Sequence, residues 1–483
     1  MMEVENRVRR GLKVSVLGQM VSQGIQFPTS LVLARLLTPE DFGAIGQVGV
    51  FTGVAYFLAD MGLGTAIVQR KELSDEEVSS VFWINLMVGV LLAAGFALAA
   101  PAIGRFYNNP DLVPLTIAVG STFIFSSLKV TQYNLLRREM SFEKLAWVDT
   151  ITQLGGTAVA IGLAWFGFGV WSLVGLRVAR AFMPNVPLFF MSSFRPRLTF
   201  QFHRVKDMLK FGGYLLGTTL ATYTARNLDK VLVGKVFGDH ALGLYLRAYD
   251  FMLFPIEQIT PSVARVMLPA MAREQANRHV VQKLMLDGLQ KIIYFSAPIM
   301  GCTAVLSRPL TITLFGPQWV DSAPILQWFA GLGFLQSLLA GNQWVHVALG
   351  RVDQLFWLQV GSVATLLVGA AVGASAGLSG VAAGLLVAQA LLFVPVYTVA
   401  LRLVGLPFRT LASKLAPTVL CATLAVGPLL ALRDLVRGWP SGLQVLVLTA
   451  VCWSLYVFWG WVFKLPVQKA LLSRSKTGLE TEL

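Results

Sequence analysis

Residues 31–71 read LVLARLLTPEDFGAIGQVGVFTGVAYFLADMGLGTAIVQRK: one hydrophobic segment ends, a short polar turn follows, and a second hydrophobic segment begins. Pro39 lies in the turn, where its fixed φ suits the first turn of a new helix. Glu40 and Asp41 follow it, and carboxylates stabilise a helix N-terminus. Gly43 lets the second helix pack closely against a neighbour. The stretch therefore predicts a transmembrane helical hairpin.

The same pattern recurs at residues 231–245, VLVGKVFGDHALGLY, in a register shifted by 200 positions. A basic residue precedes the polar turn in both copies, at Arg35 and Lys235, and a glycine follows it, at Gly43 and Gly243. Hydrophobic segments match easily by chance, but these flanking residues keep one register. We interpret the chain as two halves built on one plan, an internal repeat that is common in transporters.

The composition is that of a membrane protein. The chain has 483 residues, 55% of them hydrophobic and only 13% charged, and its mean hydropathy is +0.66. Soluble domains carry roughly 25% charged residues. The first apolar segment, residues 12–37, is longer than a signal-peptide core and lacks a small-residue cleavage site, so we expect it to remain as the first membrane span.

Hydrophobic segments of about 20 residues, the length that crosses a bilayer, predict an all-α polytopic protein with about 14 transmembrane helices. The predicted spans are residues 12–37, 43–67, 78–101, 112–135, 145–166, 170–192, 209–236, 241–268, 284–306, 322–346, 353–375, 379–402, 411–432 and 442–463. We expect an N-terminal six-helix lobe over residues 1–200 and a C-terminal six-helix lobe over residues 201–410. Residues 411–483 add two further helices and a cytoplasmic tail.

Most of the 39 Lys and Arg residues lie in alternate loops, so the net charge of +14 reports topology before it reports a nucleic-acid partner. This asymmetry follows the positive-inside rule and predicts that both termini are cytoplasmic. The longest inside loop, residues 192–210, reads SSFRPRLTFQFHRVKDMLK. We expect this basic, aromatic linker to lie on anionic lipid headgroups rather than on nucleic acid.

Charges inside spans are costly and usually face a bundle interior or a wet cavity. Arg180 lies about 15 Å below the outer end of its span, close to the bilayer midplane, and Arg177 lies about one turn above it. Neither side chain reaches the membrane surface easily. The charges that do reach the cytoplasmic surface, and are interpreted as interfacial anchors, are Lys129, Asp149, Arg265, Asp287 and Lys291.

Two interpretations stay open for the charges of the seventh and eighth spans, which are Arg226, Asp229, Lys230, Arg247 and Asp250. Their spacing of three and four residues allows either a structural ion-pair network or a ligand site. Glu257, flanked by Pro255 and Pro261, is predicted to be a lone buried carboxyl, and such a group is protonated unless a cation is near. It would serve in proton coupling or simply in hydrogen bonding.

Catalytic and metal-binding patterns are absent from the sequence. It has no GxxxxGK[ST], no GxSxG and no carboxylate pair on an outside loop next to His or Arg, which argues against an ATP-driven pump and a membrane glycosyltransferase. The four histidines show no paired spacing, so neither a metal nor a cofactor is predicted. Cys302, Cys421 and Cys452 lie in hydrophobic segments and are interpreted as small apolar residues.

Six segments carry a family resemblance: LARLLTPEDFG, LADMGLGTAIVQRKELSDEE, FYNNPDL, LLRREMSFEKLAWVD, LGLYLRAYDFMLFPIEQITPSVARVMLPAMARE and LFGPQWVDSAPILQ. In this order they resemble the Wzx-type flippases of the polysaccharide transport family, especially the colanic-acid and teichuronic-acid exporter branch. That family belongs to the multidrug/oligosaccharidyl-lipid/polysaccharide (MOP) superfamily.

The resemblance implies a V-shaped pair of six-helix lobes around a central cavity that opens alternately to each side, with the last two helices outside that core. It implies a transporter rather than an enzyme, namely a flippase for undecaprenyl-pyrophosphate-linked oligosaccharides in the bacterial cytoplasmic (inner) membrane. Such units feed exopolysaccharide, capsule or O-antigen assembly. The implied partners are the lipid-linked substrate and membrane lipids, with polysaccharide polymerase and chain-length proteins as candidates.

The anionic diphosphate of such a cargo suits basic residues near the midplane. We predict that the substrate contacts are made first by Arg177 and Arg180, and then by Arg226, Lys230 and Arg247. The predicted ion-coupling residues are Asp60, Asp250 and Glu257, while proton, sodium or no coupling ion all stay open. Two alternatives remain: a cation-coupled multidrug exporter of the same superfamily, and a non-transporting subunit of a polysaccharide assembly complex.

Overall fold

The structure is a computed structural model that describes residues 21–60, 73–198 and 227–470, together with residues 18, 64, 67, 68, 70 and 223. Its contacts divide the chain into two compact units, Met1–Gly243 (unit 1) and Leu244–Leu483 (unit 2). All regular elements of the described residues are helical, as predicted.

Unit 1 contains eight described helices and the first turns of a ninth. They are α1 (21–36), α2 (Pro39–Asp60), α3 (Asp75–Tyr107), α4 (Leu112–Gly120), α5 (Thr122–Arg138), α6 (Phe142–Trp165), α7 (Val170–Phe182), α8 (Asn185–Met191) and α9 (Leu228–Arg273). Helix α9 is interrupted at Gly238, where φ is +85° and ψ is −174°, and it continues into unit 2. A positive φ of this kind favours glycine.

Unit 2 contains the rest of α9 and seven further α-helices. They are α10 (Arg278–Val305), α11 (Ser307–Leu314), α12 (Ala323–Ala348), α13 (Val352–Ala374), α14 (Gly377–Val404), α15 (Phe408–Leu435) and α16 (Ser441–Val462), with a 3₁₀ helix at Pro317–Ser322. Helices α15 and α16 pack against α10 within this unit. The three cysteines are free and buried, in agreement with their interpretation as small apolar residues.

Among the described residues, eight helices are long and apolar enough to cross a membrane, or nine if the pair α10 and α11, bent by 88°, forms one span. The chain is therefore a multi-pass membrane protein. These helices overlap the predicted spans 78–101, 112–135, 170–192, 284–306, 322–346, 353–375, 379–402, 411–432 and 442–463, because apolar length is a local property of the sequence. The predicted spans 43–67, 145–166 and 241–268 lie largely in described helices that are not among these candidates. The predicted span 209–236 falls mainly outside the described residues.

The start of α3 shows how polar residues set a helix end. The Ser74 hydroxyl accepts a hydrogen bond from the Glu77 N–H at 3.3 Å, and the Ser74 N–H donates to the Glu77 carboxylate at 3.0 Å. This capping box satisfies two backbone donors that the helix leaves unpaired. The nearby Arg197 of the basic linker pairs with Asp75 at 3.3 Å, and both side chains are exposed.

The two repeat copies contact each other reciprocally inside unit 1. A Cβ atom on Gly43 would lie 1.7 Å from the carbonyl oxygen of Asp239, and a Cβ atom on Gly243 would lie 1.8 Å from that of Pro39. Because the register shift is 200, Pro39 and Asp239 are equivalent positions, as are the two glycines. This self-complementary geometry, like that of a two-fold interface, supports the predicted register and requires glycine at both positions.

A third contact in the same register joins Glu40 to His240, with 2.5 Å between the carboxylate oxygen and Nδ1. Burial raises the pKa of the Glu40 carboxyl, but hydrogen bonds from its own N–H, His240 and Thr38 outweigh burial, so the net pKa is lowered. Next to this pair, the N–H of His240 and the amide of Asn109 both donate to the Asp239 carboxylate, at 2.8 and 3.3 Å.

Candidate functional site

Helix α7 carries both deep arginines of unit 1, and glycines on its neighbour α6 bring the two helices close together. A Cβ atom on Gly156 of α6 would lie 2.8 Å from Cγ of Arg180, and one on Gly155 would lie 2.3 Å from the Met183 sulfur. A larger residue at Gly156 would therefore displace the Arg180 side chain. The Arg180 side chain occupies the space that a side chain at position 156 would fill.

Arg177 points from α7 toward α2. Its Nη2 lies 3.5 Å from the carbonyl oxygen of Ile45, a long and weak hydrogen bond, and 3.1 Å from where a Cβ atom on Gly49 would lie. The ionisable side chains that act on its charge are Tyr56 and Tyr223, and neither is a carboxylate. The guanidinium is thus surrounded by backbone and phenol groups.

The guanidinium of Arg180 has fewer hydrogen-bond partners among the described residues than that of Arg177. Its Nε–H is buried and makes no hydrogen bond with any described residue. Within the described chain, neither arginine forms an ion pair with a carboxylate. Two half-buried guanidiniums on one helix without a described counter-ion form a region of positive potential that would attract an anion.

Tyr56 and Tyr223 are site residues that the sequence interpretation missed. The Tyr56 hydroxyl lies 2.9 Å from that of Thr122, and the Tyr223 hydroxyl donates to the carbonyl of Gly49 at 3.3 Å. Both tyrosines present polar hydroxyls on aromatic rings, a combination that suits sugar contact. The available signal was the pair Gly49 and Gly53 on α2: the missing side chain of Gly49 leaves space for the Arg177 guanidinium, and that of Gly53 leaves space for the Tyr223 phenol.

Arg247 has different surroundings in unit 2. It is only 6% exposed, and its guanidinium carbon lies 5.4 Å from the ring centroids of both Phe315 and Trp319. Asp250, three residues further along α9, acts on its charge. This packing supports the structural interpretation that the sequence left open for Arg247.

The other predicted substrate contacts are placed as follows. Lys230 is half-buried in unit 1, and its ammonium group donates to the side-chain oxygen of Asn227 at 2.7 Å. Arg226 lies outside the described residues. The structure therefore brings Arg177 and Arg180 together on one helix and places Arg247 in the other unit.

The predicted coupling carboxylates belong to both units. Asp60 ends α2, and its side chain is not among those described. Asp250 and Glu257 are both exposed on unit 2. The prediction of a buried carboxyl at Glu257 was wrong, because the central position in a span says nothing about which helix face meets the protein interior.

Interfacial charges pair locally, as their predicted anchoring role allows. On α5 and α6, the Tyr133 hydroxyl donates to the Asp149 carboxylate at 3.1 Å, and Lys129 acts on the same carboxylate.

No group of three or more His, Cys, Asp or Glu residues in the described chain is arranged to hold a metal ion. The α7 arginine pair is therefore the strongest candidate site of unit 1.

Comparisons with known proteins show which proteins the chain is similar to. The chain is 24% identical to the teichuronic acid biosynthesis protein TuaB of Bacillus subtilis, over 75% of each chain. It is 26% identical to the lipopolysaccharide biosynthesis protein WzxC of Escherichia coli, over 80% of each chain. The lipid II flippase MurJ, in an inward closed conformation, shares the fold with a TM-score of 0.74 and 14% identity, covering 93% of this chain and 98% of MurJ.

The family model described as "polysaccharide biosynthesis protein" matches residues 32–324, which include both repeat copies and the α7 arginines. This match extends over more than half of the chain and confirms the resemblance inferred from the quoted segments. The chain belongs to the polysaccharide biosynthesis protein family.

Proposed function

We propose that this protein is a flippase that moves undecaprenyl-pyrophosphate-linked oligosaccharides from the cytoplasmic to the outer leaflet of the bacterial inner membrane. The supporting observation is the pair Arg177 and Arg180, two guanidiniums in a membrane helix without a described carboxylate partner. Each charge at the bilayer centre costs about 2.5–3.5 kcal/mol on insertion scales. A diphosphate that binds them would offset this cost through charge-assisted hydrogen bonds.

The proposed architecture has 14 spans, with six-helix lobes at residues 1–200 and 201–410, two added helices in residues 411–483, and both termini in the cytoplasm. The lobes form a V whose cavity opens alternately to each side. Support comes from the agreement between the described helices and the predicted spans, from the repeat register and from the fold shared with MurJ.

The proposal assigns the site residues to primary substrate contacts, secondary substrate contacts and ion coupling. Arg177 and Arg180 contact the diphosphate, and Tyr56 and Tyr223 lie close enough to the Arg177 charge to contact the adjoining sugar. The secondary contacts are Arg226, Lys230 and Arg247, and the coupling carboxylates are Asp60, Asp250 and Glu257. Polymerase and chain-length proteins of the polysaccharide pathway are the proposed partners that receive the product.

A cation-coupled multidrug exporter would bind its cargo with acidic residues, whereas helix α7 presents only basic ones at depth. A non-transporting subunit would have no use for unpaired cations inside a membrane helix. The two relatives named above take part in polysaccharide biosynthesis, and MurJ is a flippase. Together these observations favour a transporter of lipid-linked sugars over both alternatives.

The test is flipping by the purified protein in liposomes that contain a fluorescent undecaprenyl-pyrophosphate oligosaccharide. We expect R177Q/R180Q to reduce the flipping rate by about tenfold or more per guanidinium, because hydrogen bonds to charged groups contribute about 1.5–3 kcal/mol each. R433Q/R437Q is the matched control, since it removes two arginines, one partly exposed and one exposed, that pair with Asp434. Full activity of R177Q/R180Q would contradict the assigned site, and no flipping by the wild type would contradict the function.

A further inference from the structure

Unit 2 contains a cavity of about 300 Å³ at one end of its helices. Arg278, Arg351 and Arg402 line it, together with the amide of Gln275, and its remaining lining residues are apolar. The three arginines come from three separate places: the first turn of α10, the turn before α13 and the last turn of α14. Convergence of three separate chain segments distinguishes this cavity from a simple run of basic residues.

Backbone geometry builds this cavity. Gly350 and Gly405 end α12 and α14 in the left-handed region, with φ of +68° and +71°. Gln282 donates to the Val404 carbonyl at 2.8 Å, which satisfies a carbonyl at the end of α14 from inside the protein. The guanidinium of Arg278 comes within 3.9 Å of the place where a Cβ atom on Gly405 would lie. Local hydrogen bonding thus serves the helix ends without using the three guanidiniums.

All charged side chains that line the cavity are positive. No acidic residue lines it, and none of the ion pairs found in the described chain involves these arginines. Arg278, Arg351 and Arg402 are all exposed at this open cavity, so water screens part of their mutual repulsion. The N-termini of α10 and α13 and the C-termini of α12 and α14 meet here, so the helix dipoles largely offset each other and the three guanidiniums set the sign of the potential. An anion in the cavity would relieve this repulsion.

The cavity also lies at a defined depth. Helices α12, α13 and α14 are each long and apolar enough to span a membrane. Arg351 lies between α12 and α13, Arg402 lies in the last turn of α14 and Arg278 begins α10, so the cavity is expected at the boundary between hydrocarbon and water. The loop charges predict that this end is cytoplasmic, and the cytoplasmic leaflet is rich in anionic lipid.

We propose that this cavity binds a phosphate group, with Arg278, Arg351 and Arg402 as its ligands. The planar guanidinium matches two phosphate oxygens at once, which makes arginine the preferred residue for phosphate recognition. The phosphate comes either from the headgroup of an anionic phospholipid or from a soluble phosphate ion. This site is separate from the α7 arginines, and it stands or falls independently of the transport proposal.

The experiment measures thermal unfolding of the full chain in nanodiscs of phosphatidylcholine alone and in nanodiscs that also contain phosphatidylglycerol. A third arm adds inorganic phosphate to the phosphatidylcholine nanodiscs. Titration of lipid or phosphate gives an apparent affinity from the concentration-dependent rise in the unfolding midpoint. Phosphatidylcholine is the reference because its phosphate is neutralised by its own choline ammonium group. We expect either phosphatidylglycerol or inorganic phosphate, which both carry net negative charge, to stabilise the wild-type protein relative to this reference.

The test variant is R278Q/R351Q/R402Q, and the matched control is R273Q/K283Q/R409Q, which removes three exposed basic residues of the same unit that do not line the cavity. Each single Arg→Gln change at the cavity should weaken the apparent affinity by about tenfold, because a hydrogen bond to a charged group is lost. The control should keep the wild-type affinity. Both variants are first checked for a monodisperse elution profile.

Stabilisation by phosphatidylglycerol that the cavity variant loses and the control keeps supports a lipid headgroup, and the same pattern with inorganic phosphate supports a soluble ion. Equal loss of stabilisation in both variants would show that binding depends only on the total positive charge of the unit, which overturns the proposal. No stabilisation of the wild type in either arm overturns it as well. If the triple variant does not fold, the three single variants carry the same comparison.

Discussion

Arg177 and Arg180 of unit 1 and Arg247 of unit 2 are all arginines at predicted membrane depth, yet their surroundings differ. The α7 pair lies among glycines, backbone carbonyls and tyrosine hydroxyls, without a described carboxylate. Arg247 lies between two aromatic rings, with Asp250 acting on its charge. Depth identifies a costly charge, but only the surroundings separate a charge that the protein already stabilises from one that is left for a ligand.

The largest expected effect concerns the aromatic surroundings of Arg247. Trp319 is fully buried, so Trp319→Ala removes an indole from the interior and should lower the free energy of unfolding by about 3–5 kcal/mol. Denaturant titration in detergent micelles measures it, and Trp357→Ala, at 71% exposure, is the control. A small effect at Trp319 would mean that Arg247 is not held by packing, which would erase the contrast between the two regions.

The second-largest expected effect concerns the packing of the Arg180 side chain against Gly156. Gly156→Ala introduces a Cβ atom 2.8 Å from Cγ of Arg180, and overpacking of this kind costs about 1–3 kcal/mol, so we expect the flipping rate in liposomes to fall by about tenfold. Gly162→Ala on the same helix meets nothing within 4 Å and is the matched control. Equal rates in the two variants would show that the position of Arg180 does not matter for transport.

A conservative exchange of Arg247 sharpens the comparison further. Arg247→Lys keeps the charge but loses the planar group that stacks on Phe315 and Trp319, so the free energy of unfolding should fall by about 0.5–2 kcal/mol. The flipping rate per folded molecule should stay close to that of the wild type. A selective loss of flipping with unchanged stability would move Arg247 into the substrate site.

The smallest effect comes from the exposed hydrogen-bonded pair of Glu40 and His240. Glu40 and His240 are each about half exposed, at 51% and 49%, so Glu40→Gln should cost only about 0.2–1 kcal/mol near neutral pH. Because the pKa of Glu40 is lowered, its contribution exists above the ordinary glutamate value of about 4.3 and is lost as pH falls through the lowered pKa. Unfolding midpoints of wild type and Glu40→Gln should therefore converge in acid, with Glu139→Gln as the control. A difference that persists in acid would argue against the ion pair.

The sequence predicted those features that depend on local composition. Helix positions followed from apolar length, and Gly43, after the first polar turn, was correctly linked to close packing. What the sequence could not show was the partner: Gly43 packs on the other repeat copy, and Arg247 packs on rings that are about 70 residues away along the chain. The prediction for Glu257 failed for the same reason, since helix orientation is set by tertiary packing.

The reciprocal contact between the repeat copies has a consequence for how such a chain could have arisen. Two identical subunits that met through this patch would place a glutamate against its own copy at position 40, and the like charges would repel. Histidine at position 240 replaces that repulsion with attraction. Only two copies with different residues at this position can form the glutamate–histidine pair. When both copies belong to one polypeptide, Glu40 always lies opposite His240. Pairing of two glutamate copies with each other is then avoided.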